Sequence, residues 1–325
     1  MLNEPELEYV IRNKVRNKVS SWKHEARERV RLPSRVRNYL CGLLALGLIA
    51  SGRVRREKKK ALGGDVVTGI YFHKPNARLF MRCIHWLVKN GYQFISASEL
   101  LEILHDGKTP PKGAVWLSFD DGCKEIIEDV LPLIHSEKIP VTLFIPTGIV
   151  EGDGRFPWLH RDASSPMEFR DALAVDDIVR VASCPEVTIG SHTVTHAVMS
   201  GLEEQESRVE LAESKRALEA WTGAEVACFA YPEGRFDGRE AALLKQFGYL
   251  LAATTQNSFI TRETQAYLVP RFSVADHISY PEAICNLVGV WRPAIDPLIH
   301  AMQRVRRITI LRHEKARDPK PSRSY

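Results

Sequence analysis

From residue 65 to residue 291 the chain repeats one pattern: a short apolar run, then a longer stretch with helical periodicity. The runs read VVTGIYF (66–72), AVWLSF (114–119), VTLFIP (141–146), EVTIGSH (186–192), VACFAYP (226–232), YLLAATT (249–255) and YLVPRFSV (267–274), with a shorter one at Tyr92–Ile95. Helical segments follow at 77–91, after Ser98 as a candidate cap, and at 123–138, 171–184, 202–223, 239–248 and 280–291. Strands apolar on both faces must be covered on both faces, and helices returning between them give right-handed βα units around a parallel sheet. About seven strands favour a closed barrel, although an open doubly wound sheet also fits. No internal repeat interrupts the pattern. Neither GxGxxG after a strand nor GxxxxGK[ST] occurs, so nucleotide binding has no support.

In such folds chemistry gathers where strands end. Four ends carry polar groups that packing does not require: Tyr71-Phe72-His73, Asp120-Asp121, the segment from Ser191 to His196, and Tyr231-Pro232-Glu233-Gly234. Two carboxylates side by side at a buried strand end disfavour each other's ionisation unless a cation offsets them. DDG also occurs in ordinary surface turns, and histidine pairs at HxxxH spacing are common on surfaces. Both features at the ends of two strands are a stronger signal. His192, His196 and one aspartate give two nitrogens and an oxygen, with positions open for water and substrate, as a catalytic metal site requires. One aspartate then holds the ion and the other takes a proton from water.

These residues resemble the polysaccharide deacetylase family, carbohydrate esterase family 4. Its first motif, T/S-F-D-D-G, matches Ser118–Gly122, and its second, H-S/T-x-x-H, matches His192–His196. The stretch FAYPEG (229–234) is similar to its Tyr-Pro segment. The resemblance covers about residues 65–275. It implies a deformed barrel, a divalent metal, usually Zn2+, and hydrolysis of an N-acetyl group on an amino sugar. It implies Asp120 as general base and Asp121, His192 and His196 as metal ligands, with a backbone N–H near Tyr231 holding the oxyanion. Three features depart from the family, one of them Glu233, which falls where relatives often have Tyr. Phe229-Ala230 stand where many members have Arg, and Leu268-Val269-Pro270-Arg271 replaces a Leu-x-His whose histidine is the general acid. His73 is then the candidate acid, since members with Tyr-His at the first strand end resemble YFH, and His160 is another. Arg271 orients Asp120 or is a plain surface cation. Trp158 stacks on a sugar ring or anchors its loop. Tyr231, Arg271 and Trp158 are the candidate substrate-binding residues. The charges of the helix 202–223 read as a solvated face.

The flanks differ from this core. The net charge of +5 hides a split: residues 1–60 hold 16 Lys/Arg against 6 Asp/Glu, and residues 304–325 hold 8 against 2, so the middle is acidic. Residues 1–62 read as a basic helical extension, 63–292 as the catalytic barrel and 293–325 as a basic tail. Residues 39–52, YLCGLLALGLIASG, lie between basic residues and are too short to span a bilayer, which takes roughly 20 apolar residues. They form either a helix docked on its own protein or an interfacial anchor on an anionic membrane surface. No secretion signal opens the chain, and six scattered cysteines show no disulfide framework. The expectation is a cytoplasmic protein, peripheral at the membrane if the extension touches lipid. Its substrate would be a glycan or a lipid- or nucleotide-linked precursor, and no nucleic-acid partner is expected. An amidase on a small non-sugar amide and a non-catalytic sugar-binding relative are the alternatives.

Overall fold

A computed structural model of the chain describes residues 34–74, 76–152, 154, 156, 172–297 and 299. Two helices open it, α1 (Ser34–Ala50) and α2 (Arg53–Ala61). The chain continues as β1 (Thr68–Phe72), α3 (Ala77–Lys89), β2 (Gln93–Phe94), α4 (Ala97–His105) and β3 (Ala114–Phe119). Then come α5 (Leu131–Ser136), β4 (Val141–Ile145), α6 (Thr147–Val150), α7 (Val175–Ala182) and β5 (Val187–Ser191). The last elements are α8 (Glu204–Thr222), β6 (Cys228–Ala230), α9 (Glu240–Gln246), β7 (Leu251–Ala253), β8 (Phe272–Ser273) and α10 (Tyr280–Leu287).

Among the described residues all strand pairs are parallel, in the order β7-β6-β5-β4-β3-β1-β8, with β2 beside the start of β3. The sheet curls on itself. A parallel bridge joins Ala253 to Val269, three residues before β8, which pairs with β1. The deformed (β/α) barrel is therefore the observed fold, with the strands at the expected places.

Period-2 alternation divides the interior. Val115, Leu117, Phe119, Leu143, Ile145, Phe229 and Tyr231 pack with the helices in one large apolar cluster. Trp116, Phe144, Cys228, Ala230, Leu251 and Ala253 form a second, inside the curl. Gly190 makes room there: a Cβ on it would lie 2.6 Å from the Phe144 ring. Helix α4 adds Ala97, Leu100 and Ile103 to the same cluster. It starts beside the first residues of β3 and ends at His105, whose Nε2 lies 2.9 Å from Leu250 O, just ahead of β7. It closes the end where strands begin and leaves the other end for the site.

Two local expectations are corrected. The cap of α4 is Ser96, in a reciprocal arrangement with Glu99, rather than Ser98. The span 123–138 is not one regular helix. Pro132 has no N–H to give, and ahead of it Ile126–Val130 forms a wide turn in which Leu131 N–H bonds back to Ile126 O.

Most of α1 and α2 packs outside the barrel core, although Ala61 at the end of α2 joins the large apolar cluster. Ala45, Leu48 and Val54 meet Ile284, Cys285, Val288 and Trp291 in a third cluster. All six cysteines are free thiols.

Candidate active site

The sheet ladder runs past the strand ends into the site. Asp120 N–H donates to Phe72 O at 2.9 Å, and His192 N–H to Ile145 O at 3.0 Å. Asp120 continues the inward parity of Trp116 and Ser118, so its carboxylate enters the curl. Asp121 follows with φ 73°, a left-handed turn that brings the next carboxylate to the same rim.

Asp121, His192 and His196 come together: one donor atom of each lies within 4.8 Å of the others, and all three residues are buried. His192 Nε2 is 3.6 Å and His196 Nε2 is 3.4 Å from Asp121 Oδ1. That oxygen is buried and, among the described residues, accepts no hydrogen bond. His192 Nδ1 lies 2.7 Å from Ala230 O, which fixes the proton on Nδ1 and leaves Nε2 as a free lone pair facing the carboxylate. Burial and then the neighbouring His196 hold the His192 pKa down to about 4, so the ring is neutral at neutral pH. Burial pushes Asp121 upward, but His196, His73 and His192 outweigh it and leave the carboxyl well below the usual range. A buried carboxylate oxygen facing two imidazole nitrogens is a donor set that fits a divalent cation.

Asp120 lies beside this trio and is held by Arg271. The guanidinium donates from Nη1 to Asp120 Oδ1 at 2.7 Å and from Nη2 to Oδ2 at 2.8 Å, a two-pronged pair. It also donates to Ser118 Oγ at 2.9 Å and to Thr254 O at 3.2 Å, and it lies 4.5 Å over the Tyr71 ring. Gly69 admits this side chain: a Cβ there would meet Pro270 O at 2.6 Å and Arg271 Cγ at 3.2 Å. Burial raises the Asp120 pKa, yet the Arg271 charge, followed by His192, brings it below its ordinary value. The substrate-binding expectation for Arg271 is thereby corrected. The side chain is fully buried and every prong but one faces Asp120 or its neighbours, so it positions that carboxylate.

Tyr231 is corrected too. Its parity is outward, its ring packs edge-on to Phe229 with centroids 5.2 Å apart, and it is 1% exposed. Its own N–H donates to Ala253 O at 3.0 Å, so Tyr231 itself does not supply the backbone N–H expected near it. His73 is half-buried at the end of β1, its ring 5.4 Å from that of Tyr71, near enough for its charge to lower both aspartates. Trp158 and His160 lie outside the described residues.

Glu210, on α8, is the residue that the charge pattern hid. It is 2% exposed and accepts from Val194 N–H (2.8 Å), Thr195 N–H (2.9 Å) and Thr195 Oγ1 (2.7 Å). The helix expected to be only a solvated face thus turns one carboxylate inward and clamps the loop between the two histidines. That loop is bent hard: Thr193 has φ 67° and His196 φ 56°. The usable signal was the step from Glu210 to Leu211, Ser214 and Leu218, the buried stripe of a helix.

Residues 107–252 match the sequence profile of the family described as polysaccharide deacetylase. YxkH of Bacillus subtilis (strain 168) is 25% identical over 60% of this chain and 63% of its own length. The poly-β-1,6-N-acetyl-D-glucosamine N-deacetylase of Escherichia coli (strain K12) is 24% identical over 66% of this chain and 36% of its own length. The chain thus spans less than two thirds of either relative. Among solved structures, the Streptococcus pyogenes deacetylase PplD in complex with acetate superposes with a TM-score of 0.56 at 19% identity, over 69% of this chain and 97% of that one. This last likeness is one of fold. Both signature motifs lie at one rim of the matching fold, and the segment 107–252 that carries them is similar to the polysaccharide deacetylase family.

Proposed function

We propose that this chain is a metal-dependent N-deacetylase hydrolysing the acetamide of an N-acetylated amino sugar, with residues 63–292 as its catalytic unit. The observation that carries the reading is the buried trio Asp121, His192 and His196, with a second carboxylate, Asp120, oriented beside it. The trio would hold a divalent ion, and its N,N,O set favours zinc. Such an ion, when bound, lowers the pKa of water and polarises a carbonyl.

The protein's own groups do the rest. Asp120 accepts the proton of the attacking water, and Arg271 keeps its carboxylate ionised and aimed. His73, across the rim, donates a proton to the departing nitrogen. The amide C–N bond breaks, water supplies the new C–O bond, and acetate and a free amine leave. Relatives named as poly-β-1,6-N-acetyl-D-glucosamine N-deacetylases support a polymeric N-acetylated sugar as the first substrate to test.

The test is acetate release from N-acetylglucosamine oligomers and from lipid- and nucleotide-linked N-acetyl sugars, with zinc, cobalt or nickel supplied. Asp120→Asn should retain its metal and lose about 10²–10⁴-fold in turnover. Release from simple amides alone would make the chain an amidase. No release from any acetylated sugar with any of the three metals would leave a binding protein.

A further inference from the structure

From Tyr39 onward helix α1 is apolar all round, and among the described residues only half of it is covered. At 100° per residue, Cys41, Ala45, Leu48 and Ile49 share the face that packs on α10 and the residues after it. That face is pinned: Arg37 Nη2 donates to Glu282 Oε1 at 3.3 Å, and Cys285 Sγ donates to Ala45 O at 3.6 Å. The opposite face carries Val36, Tyr39, Leu40, Leu43, Leu44 and Leu46, from 39% to 67% exposed. No charged residue interrupts positions 38–52. A continuous apolar arc of this kind marks an interaction surface.

Charge decides what covers it. Arg35 and Arg37 stand at one end, and Arg53, Arg55, Arg56, Lys58, Lys59 and Lys60 follow the other, with Glu57 the one acid among them. On α2, Arg53, Arg56 and Lys60 lie one turn apart and line a cleft of about 440 Å³ together with Glu57, Asn257, Ser258 and Phe259, three cations against one acid. Among the described residues none of these three cations has an ion-pair partner, although Lys60 Nζ sits 4.9 Å from the Phe259 ring centroid. A second copy laid face to face would set these cations against their own kind. Residues 1–33 carry 8 Lys/Arg and 5 Asp/Glu, so they offer no anionic complement.

We propose that α1 and α2 dock on the surface of an anionic phospholipid bilayer. The apolar arc of α1 lies in the acyl boundary, and the α2 cleft takes lipid phosphates. At 17 residues α1 is about 25 Å long, and one face is already occupied, so it lies in the interface rather than crossing. No helix among the described residues is long and apolar enough to cross a membrane.

The experiment is flotation of the full chain with phosphatidylcholine vesicles, with and without phosphatidylglycerol. The chain should float with the anionic vesicles and release as salt rises. Leu40→Gln with Leu43→Gln should abolish flotation while acetate release from a soluble substrate stays unchanged. Arg53→Gln, Arg56→Gln and Lys60→Gln together should weaken partitioning about fivefold per cation, on the order of a hundredfold in all. No flotation, or flotation unaltered by both variant sets, overturns the proposal. So does a stable dimer that the leucine variant breaks, since a second copy would then own the face.

Discussion

Removing the Arg271 side chain tests how Asp120 is kept ready. In Arg271→Met the Asp120 carboxylate, 3% exposed, loses a two-pronged partner, and Ser118 and Thr254 lose a donor. Taking one member from a buried pair costs about 3–5 kcal/mol, because the remaining charge stays out of water. The protein has a second way out: Asp120 can take a proton. Burial alone raises this carboxyl, and Arg271 is the largest influence holding it down. Without the arginine the acid limb of the turnover–pH profile should therefore move up. In the wild type the Asp120 pKa is lowered on folding, so the pair's contribution to stability is present above the unfolded value, about 3.9, and fades only as pH falls through the folded value. Asp120→Asn should destabilise as well, by stranding the buried guanidinium. Arg271→Met combined with Asp120→Asn should recover about 2–3 kcal/mol of the summed loss without restoring turnover. Urea unfolding of the four proteins and pH profiles of acetate release give both readouts. If Arg271→Met stays within about 1 kcal/mol of wild type and its acid limb does not move, the pairing does not set the state of Asp120.

Three further outcomes are expected. Glu210→Gln, which keeps the shape but removes the charge that three donors share, should weaken metal affinity about 10–100-fold in a chelator competition, with helical content unchanged. Gly190→Ala should cost about 1–3 kcal/mol in unfolding experiments, since the added methyl meets the Phe144 ring. In the metal-free protein the depressed His192 pKa, about 4 against 6.5 in the unfolded chain, means that the unfolded state takes its proton first. Stability should then climb between about pH 4 and pH 6.5 by up to roughly 3 kcal/mol, and His192→Gln should flatten that rise.

The sheet was readable because each strand is buried on both faces and says so in an unbroken apolar run, as in AVWLSF and VTLFI. Four strand ends could be found by their polar residues alone, and Asp121, His192 and His196 do meet. What stayed hidden depends on direction rather than identity. Tyr231 lies in a signature segment, but only the register of β6 shows that its ring faces the helices. Arg271 is a lone cation in sequence and becomes an internal one because Gly69 leaves space for it. Glu210 is one acid among many on a charged helix, and nothing local separates a carboxylate that faces water from one that faces a loop. Pro132 marks the break in 123–138, but the apolar periodicity runs straight through it and masks it.

Asp121, Thr193 and His196 share a backbone region that non-glycine residues avoid, at a cost of order 1–3 kcal/mol each. Thr193 is held in it by its own Oγ1, which accepts from Ala197 N–H at 3.1 Å, and by Thr147 N–H on its carbonyl, also at 3.1 Å. The rim is therefore cocked like a spring whose catch is the surrounding scaffold. Loosening that scaffold anywhere should let these three residues relax first, so mild denaturant ought to strip the ion at concentrations where the barrel is still whole.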